Sequence, residues 1–312
     1  MTTNVSAPPA SSAYRRHRSG IHEGSRVADA IMILVTAIIC CITLYPMFYV
    51  LIMSLSSAQH VLAMDVYFYP KGFQLSSYQL ICADSAMWKA YGNTLIYTAS
   101  TTVLQIITCC LGAYPLTIPY LKGRKILTLF ILIPMYFGGG MIPTYILISK
   151  LGLYNTMWAI IIPSAVSIWN MILVRTYFAG LPDALRESAF IDGANHFQVL
   201  FRIYLPLSKP ILAVIAIYAI VGMWNSWFSA QLYLPNSNLH PLQMYLQRVL
   251  VQQSVDLKDL TFQEYEDAVE KMFSAMQLKY SMIIFTTLPI IFSYPFFQKY
   301  FIKGIMVGSL KG

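Results

Sequence analysis

Charge is scarce in this 312-residue chain. Only 11% of residues are charged and 57% are hydrophobic, where a soluble domain carries roughly a quarter charged residues. That deficit excludes an ordinary water-soluble domain and points to an integral membrane protein. Cysteine is also sparse. Five are present, as the adjacent pairs Cys40-Cys41 and Cys109-Cys110 and the lone Cys82, with no C-x-x-C spacing, so neither a metal site nor a disulfide framework is indicated. They read as small apolar packing residues. No G-x-x-x-x-G-K-[ST] occurs, so the chain has no P-loop for nucleotide phosphates, and neither H-E-x-x-H nor G-x-S-x-G is present. The net charge of +8 comes without the basic stripe or groove-reading motifs of nucleic-acid modules, and no nucleic acid is expected as a partner.

What is present in quantity is long apolar runs. Six can be drawn, at about 28–54, 92–118, 126–148, 155–177, 207–229 and 279–300. Each is long enough to cross a bilayer as a helix, the open-chain structure that satisfies its own backbone in hydrocarbon. The expectation is an all-α integral membrane protein: a tail over 1–26, then a six-span domain over 27–312. The Ser/Ala/Pro-rich and then basic tail reads as disordered and cytoplasmic. The first run is too long for a signal peptide and is followed by no small-residue cleavage site, so it reads as a retained span. Gly138-Gly139-Gly140 within the third run predicts an unwound or closely packed stretch.

Lysine and arginine set the orientation. With both termini cytoplasmic, fourteen of the 21 basic residues lie inside, among them Arg15, Arg16, Lys122, Arg124, Lys125, Arg186 and Arg202, and the balance is +9 inside against −1 outside. Two larger segments, about 56–91 and 230–278, then face outward. The second carries the acidic stretch QEYEDAVEK. Both are candidates to engage something extracellular, or simply solvated caps. The five histidines, His17, His22, His60, His196 and His240, fall outside the spans, and no acid or base lies mid-span; Asp29 and Arg175 sit at span ends. An ion-coupled carrier usually needs such groups, and no inverted repeat is visible. Six spans without a repeat suggest half a pathway, completed by a related chain.

Between the fourth and fifth spans, over 181–206, the grease is interrupted by LPDALRESAFIDGANHFQVLFRIYLP. Leu181-Pro182-Asp183 opens a short helix, with Asp183 as its cap. Ala184, Leu185, Ser188 and Ala189 fall on one small, mildly apolar face that suits close approach of a partner. Asp192-Gly193 ends that helix. A second follows, with Phe197, Leu200, Phe201 and Tyr204 on one side, and Leu205-Pro206 closes it. The product is a helix–turn–helix elbow on the inner membrane surface. Taken by itself it is equally an amphipathic loop that merely joins two spans.

The spacing narrows this. Glu187-Ser188-Ala189, three residues, Gly193, then Ile203, Leu205 and Pro206 resembles the EAA loop of ABC importer permeases, with Ser188 where that family usually has Ala. Asp192-Gly193-Ala194, the run Leu205–Pro210 and Gly222-Met-Trp-Asn-Ser-Trp are similar to the carbohydrate branch. The likeness covers about 27–312 and is nearest to MalG-like permeases of the LplC/YtcP-like group. It implies the type I importer permease (MetI-like) fold and no catalysis by this chain. It also implies a second homologous permease, two ATPase subunits that bind ATP and Mg, an extracellular solute-binding protein and an oligosaccharide cargo, in a bacterial cell membrane. By the same resemblance the elbow is a coupling helix: Glu187 meets the ATPase, Ser188 and Ala189 seat against it, and Gly193 permits the bend.

Sugars bind through aromatic faces and hydrogen-bonding groups. Tyr136, Trp169, Asn170, Trp224, Asn225 and Trp227 are candidates to line a sugar path, against the alternative of helix packing and interfacial anchoring. The subgroup likeness tilts the cargo toward pectin-type, uronate-bearing fragments, with neutral glycans open. Two rival functions remain: an ion-coupled secondary transporter, and a membrane scaffold or receptor that signals through the elbow.

Overall fold

A computed structural model describes residues 26–251, 276–293, 295, 296 and 298. The described residues are overwhelmingly helical, and they divide into two units between Phe48 and Tyr49. The first unit holds most of α1 (Arg26–Ser54), 29 residues of almost unbroken apolar sequence around Pro46. Its residues from Val27 to Met47 are all exposed, an arrangement that only lipid or another apolar surface tolerates.

The second unit is built on α4 (Ser85–Ala113), about 43 Å long at 1.5 Å per residue. It is preceded by α2 (Ala58–Leu62) and α3 (Ser76–Ala83). It begins seven residues before the expected second span because Asp84 caps it: the carboxylate accepts from the Ala86 amide at 2.8 Å. The Tyr245 hydroxyl donates to the same carboxylate. That bond and the backbone donor hold the Asp84 carboxyl below its ordinary range, while burial first, and then the hydrogen bond it gives to Asp84, push the Tyr245 phenol up.

The expected third span is two helices, α5 (Arg124–Tyr136) and α6 (Met141–Lys150), bent by 110°. The triple glycine is the break. Gly140 has φ +84, a conformation L side chains rarely adopt, and a Cβ on Gly138 or Gly139 would meet nothing within 4 Å, so the stretch is unwound rather than closely packed. The fourth run is also interrupted, as α7 (Trp158–Ser164) and α8 (Ile168–Ala179). Side chains of α4 satisfy the carbonyls freed there. Gln105 Nε2 donates to Ser164 O at 2.9 Å, Thr108 Oγ1 to Ala165 O at 2.6 Å, and Cys109 Sγ to Ser167 O at 3.5 Å.

After α8 come α9 (Asp183–Ile191), α10 (His196–Val199), a π-helical turn (Leu200–Tyr204), α11 (Leu205–Leu207) and α12 (Lys209–Trp224). The fifth span therefore ends at Trp224, five residues short of the expected limit. Asn225 is its C-cap and Trp227 lies beyond it. α13 (Phe228–Tyr233) straddles the expected end of the fifth span, and a 3-10 turn (Ser237–Leu239) and α14 (Leu242–Val251) stand within the expected outer segment. The acidic stretch QEYEDAVEK lies outside the described residues, as do the tail and most of the C-terminal end. The last helix described is α15 (Met276–Ser293).

Among the described residues four helices are long and apolar enough to cross a membrane, or up to six if each bent pair counts as one span. The core of the second unit is a chain of clusters along α4. Tyr97 packs with Ile160, Ile161 and Met223; Met87 with Trp224, Leu242 and Met282; Cys109, Cys110 and Ala113 with α8, the elbow and α12.

Candidate functional site

The elbow between α8 and α12 is fixed at each of its joints. Pro182 stands at the N-cap of α9. The expected cap, Asp183, is instead the first helical residue, because its Oδ1 accepts from Arg186 Nη2 at 2.7 Å. The Arg186 side chain is only 5% exposed. α9 closes in a Schellman turn: Gly193 N donates to Phe190 O at 3.0 Å and Ala194 N to Ala189 O at 2.9 Å. Gly193 has φ +81 with open space around it, so conformation and not crowding demands glycine here. Two residues on, Asn195 and Gln198 form a reciprocal capping box, with bonds of 2.8 and 2.9 Å, that starts α10. Only Ala194 separates the stop of one helix from the cap of the next.

The elbow is also bonded to the spans. Tyr114, at the end of α4, meets Tyr204 edge-on at 5.2 Å, and Tyr204 meets Phe178 of α8 at 5.3 Å. Tyr114 Oη and His196 Nδ1 are hydrogen-bonded at 3.1 Å. Ala189, Val199, Leu200 and Tyr204 are buried in one cluster with Tyr114, Phe178 and Ile215. Aromatic edge-to-face pairs of this kind add ~0.5–1.5 kcal/mol each beyond their buried area. The elbow is packed as one unit with the ends of α4, α8 and α12.

What remains free is one face of α9. Ala184, Leu185, Glu187, Ser188 and Ile191 are exposed, Ile191 at 87%. Asp192 and Gly193 are exposed beside them, as is Pro206, while Leu205 is half-buried. Ala189 departs from expectation. It turns into the chain's own core and is not part of the exposed face. The four residues grouped on the second helix also divide: Leu200 and Tyr204 are buried, Phe197 and Phe201 exposed, because the π turn at 200–204 rotates the register.

The six aromatic and amide residues considered for a sugar path do not converge in this chain. Tyr136 and Trp169 are exposed, and Asn225 returns its amide to Val221 O at 2.9 Å. Asn170 is buried and donates to Gln105 Oε1 at 2.9 Å. Trp227 lies outside α12 and meets only Phe228 edge-on among the described rings. Trp224 alone lines a cavity of about 400 Å3, together with Thr98, Thr102, Ile220 and Pro289. Its indole donates to Thr286 O at 3.0 Å. The hydroxyls of Thr98, Thr101 and Thr102 are buried without a partner among the described residues. Thr94, Thr98, Thr101, Thr102 and Gln105 recur on one face of an otherwise apolar helix, a stripe visible in the sequence at helical spacing. Among the described residues no three His, Cys, Asp or Glu side chains gather to hold a metal.

Membrane-length helices, two of them as bent pairs, with an elbow that leaves one face exposed, describe a polytopic membrane protein. The family of binding-protein-dependent transport system inner membrane components matches residues 20–307, and the chain belongs to it. It is accordingly an ABC transporter permease, a membrane subunit without catalytic machinery of its own. Protein LplC of Bacillus subtilis (strain 168) is 36% identical over 290 residues, 93% of this chain and 97% of that protein. The polygalacturonan/rhamnogalacturonan transport system permease protein YtcP of the same organism is 32% identical over 280 residues, 90% and 96% of the two chains. A crystal structure of a bacterial ABC transporter involved in import of the acidic polysaccharide alginate includes a chain that superimposes with a TM-score of 0.80 at 32% identity. That match covers 88% of this chain and 97% of the other.

Proposed function

We infer that this chain is one of two permease subunits of an ATP-driven oligosaccharide importer, and that its elbow is the joint through which two ATPase subunits move it. The observation that carries the reading is the contrast across α9: Glu187, Ser188 and Ile191 exposed, Arg186 and Ala189 buried. A helix packed on one side and bare on the other, held by a Schellman turn and a capping box, suits a surface that a partner must push. Glu187 and Ser188 are the proposed contacts, with Asp192 at the rim. Gly193 supplies the bend. Leu205 and Pro206 carry the chain from the elbow into α12. Ala189 acts behind the face, holding α9 to Tyr114 and Val199.

This reading sets both termini and the elbow in the cytoplasm and the Ser85 end of α4 outside, where a solute-binding protein delivers cargo. Uronate-type glycans fit the names of the relatives, one a polygalacturonan/rhamnogalacturonan permease and one part of an alginate importer. The cavity beside Trp224, where the Thr98 and Thr102 hydroxyls lack a partner among the described residues, is the favoured part of this chain for cargo contact. Tyr136, Trp169, Asn225 and Trp227 keep a role only at a surface shared with the second permease.

The test is reconstitution of the full complex, with its binding protein, in proteoliposomes. Glu187→Lys is expected to abolish ATP-driven uptake and release the ATPase on purification, with the permease still folded. Full uptake and an intact complex in that variant would refute the coupling role. Labelling of a cysteine placed at Ser188 by an impermeant reagent on intact cells would refute the orientation.

A further inference from the structure

At the Ser85 end of α4, the length of that helix away from the elbow, a polar cleft of about 310 Å3 opens between the first turns of α4, the 3-10 turn and α14. Ser85, Lys89, Asn238, His240, Tyr245 and Arg248 line it. Its walls are braced from behind. Asn93 Nδ2 donates to Asn238 O at 2.8 Å and His240 O at 3.1 Å, Tyr97 Oη donates to Leu239 O at 2.9 Å, and the Leu242 amide donates to Thr94 Oγ1 at 2.7 Å. His240 is buried and donates through Nε2 to Leu234 O at 2.8 Å, which leaves Nδ1 to accept from Arg248 Nη2 at 2.7 Å.

The charges in this cleft are unbalanced. Lys89 and Arg248 both face it, and among the described residues neither is paired with a carboxylate. Lys89 Nζ donates to the neutral Asn238 Oδ1 at 2.8 Å, and Arg248 to the neutral imidazole. The nearby acid, Asp84, is occupied by the Ala86 amide and the Tyr245 hydroxyl. Two cations held on neutral partners still have donors for an anion, and charge-assisted bonds to a carboxylate are about twice as strong as neutral ones. The remaining lining offers hydroxyl, amide and phenol groups, the complement of sugar hydroxyls. The volume lies at the low end of the ~300–1,000 Å3 typical of small-ligand sites, which suits one acidic pyranose unit and not a whole chain.

We propose that this cleft is a carboxylate-reading subsite that takes one uronate unit of an oligosaccharide as it passes from the binding protein into the membrane path. Lys89 and Arg248 hold the carboxylate, and Ser85, Asn238 and Tyr245 meet ring hydroxyls. The proposal rests on the importer reading above and adds to it the place in this chain where the acid group is read. The competing occupant is an acidic side chain of the binding protein.

The experiment uses the whole complex in proteoliposomes, with trigalacturonate as probe, in the wild type, Lys89→Gln, Arg248→Gln and Arg248→Lys. Two quantities are read: uptake at saturating loaded binding protein, and the binding-protein concentration that half-stimulates ATP hydrolysis. Loss of one charge-assisted contact predicts an uptake fall of about tenfold in each glutamine variant. Arg248→Lys is expected to recover most of it, and the half-stimulating concentration to stay where it was. Lys89 is exposed, so its variant tests the idea even where Arg248→Gln disturbs folding. A rise in the half-stimulating concentration in step with the lost uptake would give the cleft to the binding protein and overturn the proposal, as would unchanged uptake. A wild type that imports neutral oligosaccharides but no trigalacturonate removes the subsite and leaves the importer reading standing. A wild type that imports no oligosaccharide with ATP removes that reading itself.

Discussion

The two ends of α4 both rest on buried clusters but differ in what stands beside them. At Tyr114 the contacts are buried rings and aliphatic side chains, with Tyr204, Phe178, Val199 and Leu200 closing around the helix end. At Ser85 a buried cluster of Met87, Trp224, Leu242 and Met282 is joined by side-chain hydrogen bonds to loop backbone, and a polar cleft opens beside it. Close-packed interiors deform little and transmit displacement. Hydrogen-bonded loops exchange partners readily with water and ligands. One helix thus joins a close-packed apolar end to an end with a polar cleft, which are the ends the proposals assign to the ATPase and to the cargo.

The largest effect that would break this comparison lies on the elbow. Gly193→Val should reduce ATP-driven uptake by two orders of magnitude or more, because a β-branched residue at φ +81 costs at least the ~1–2 kcal/mol of the left-handed region and misdirects α10. Uptake in proteoliposomes checks it, and wild-type rates would deny the turn any mechanical part. Next comes Tyr204→Ala, which empties the ring cluster and should destabilise the chain by ~3–5 kcal/mol, the usual loss for a buried aromatic. Thermal unfolding in nanodiscs measures that. Asn170→Leu is expected to cost ~1–3 kcal/mol by stranding Gln105 Oε1 in the interior, read in the same assay. The smallest is Tyr245→Phe at the opposite end, where loss of the hydroxyl bonded to Asp84 should cost ~0.5–1.5 kcal/mol. If Tyr245→Phe proved as damaging as Tyr204→Ala, the contrast between the ends would be void.

Much of this was legible before any fold was known. The apolar runs marked the membrane helices, and Glu187, Gly193, Ile203 and Leu205-Pro206 marked the elbow through their resemblance to the EAA loop. What escaped depended on contacts distant in sequence. Arg186 reads as one more solvated cation in a loop, yet it is buried beneath α9, and its hold on Asp183 removes that residue from the cap. Ala189 belongs to the motif and so read as a contact residue, but only the fold reveals that it faces inward. The sugar-path aromatics were chosen one by one for chemistry, and the chain scatters them. The threonine stripe of α4 stands in the letters at helical period, but threonine in a membrane helix normally bonds its own backbone, so the letters do not show which hydroxyls lack a partner.

The interruption of the fourth span has a consequence for biogenesis. Bare carbonyls at Ser164, Ala165 and Ser167 would be costly in hydrocarbon, and the groups that relieve them sit about sixty residues earlier, on Gln105, Thr108 and Cys109. Ribosomal synthesis delivers the donor helix first. A nascent fourth span therefore meets its chaperone already waiting in the bilayer, and a circularly permuted chain with that order reversed would have to insert the broken helix unaided.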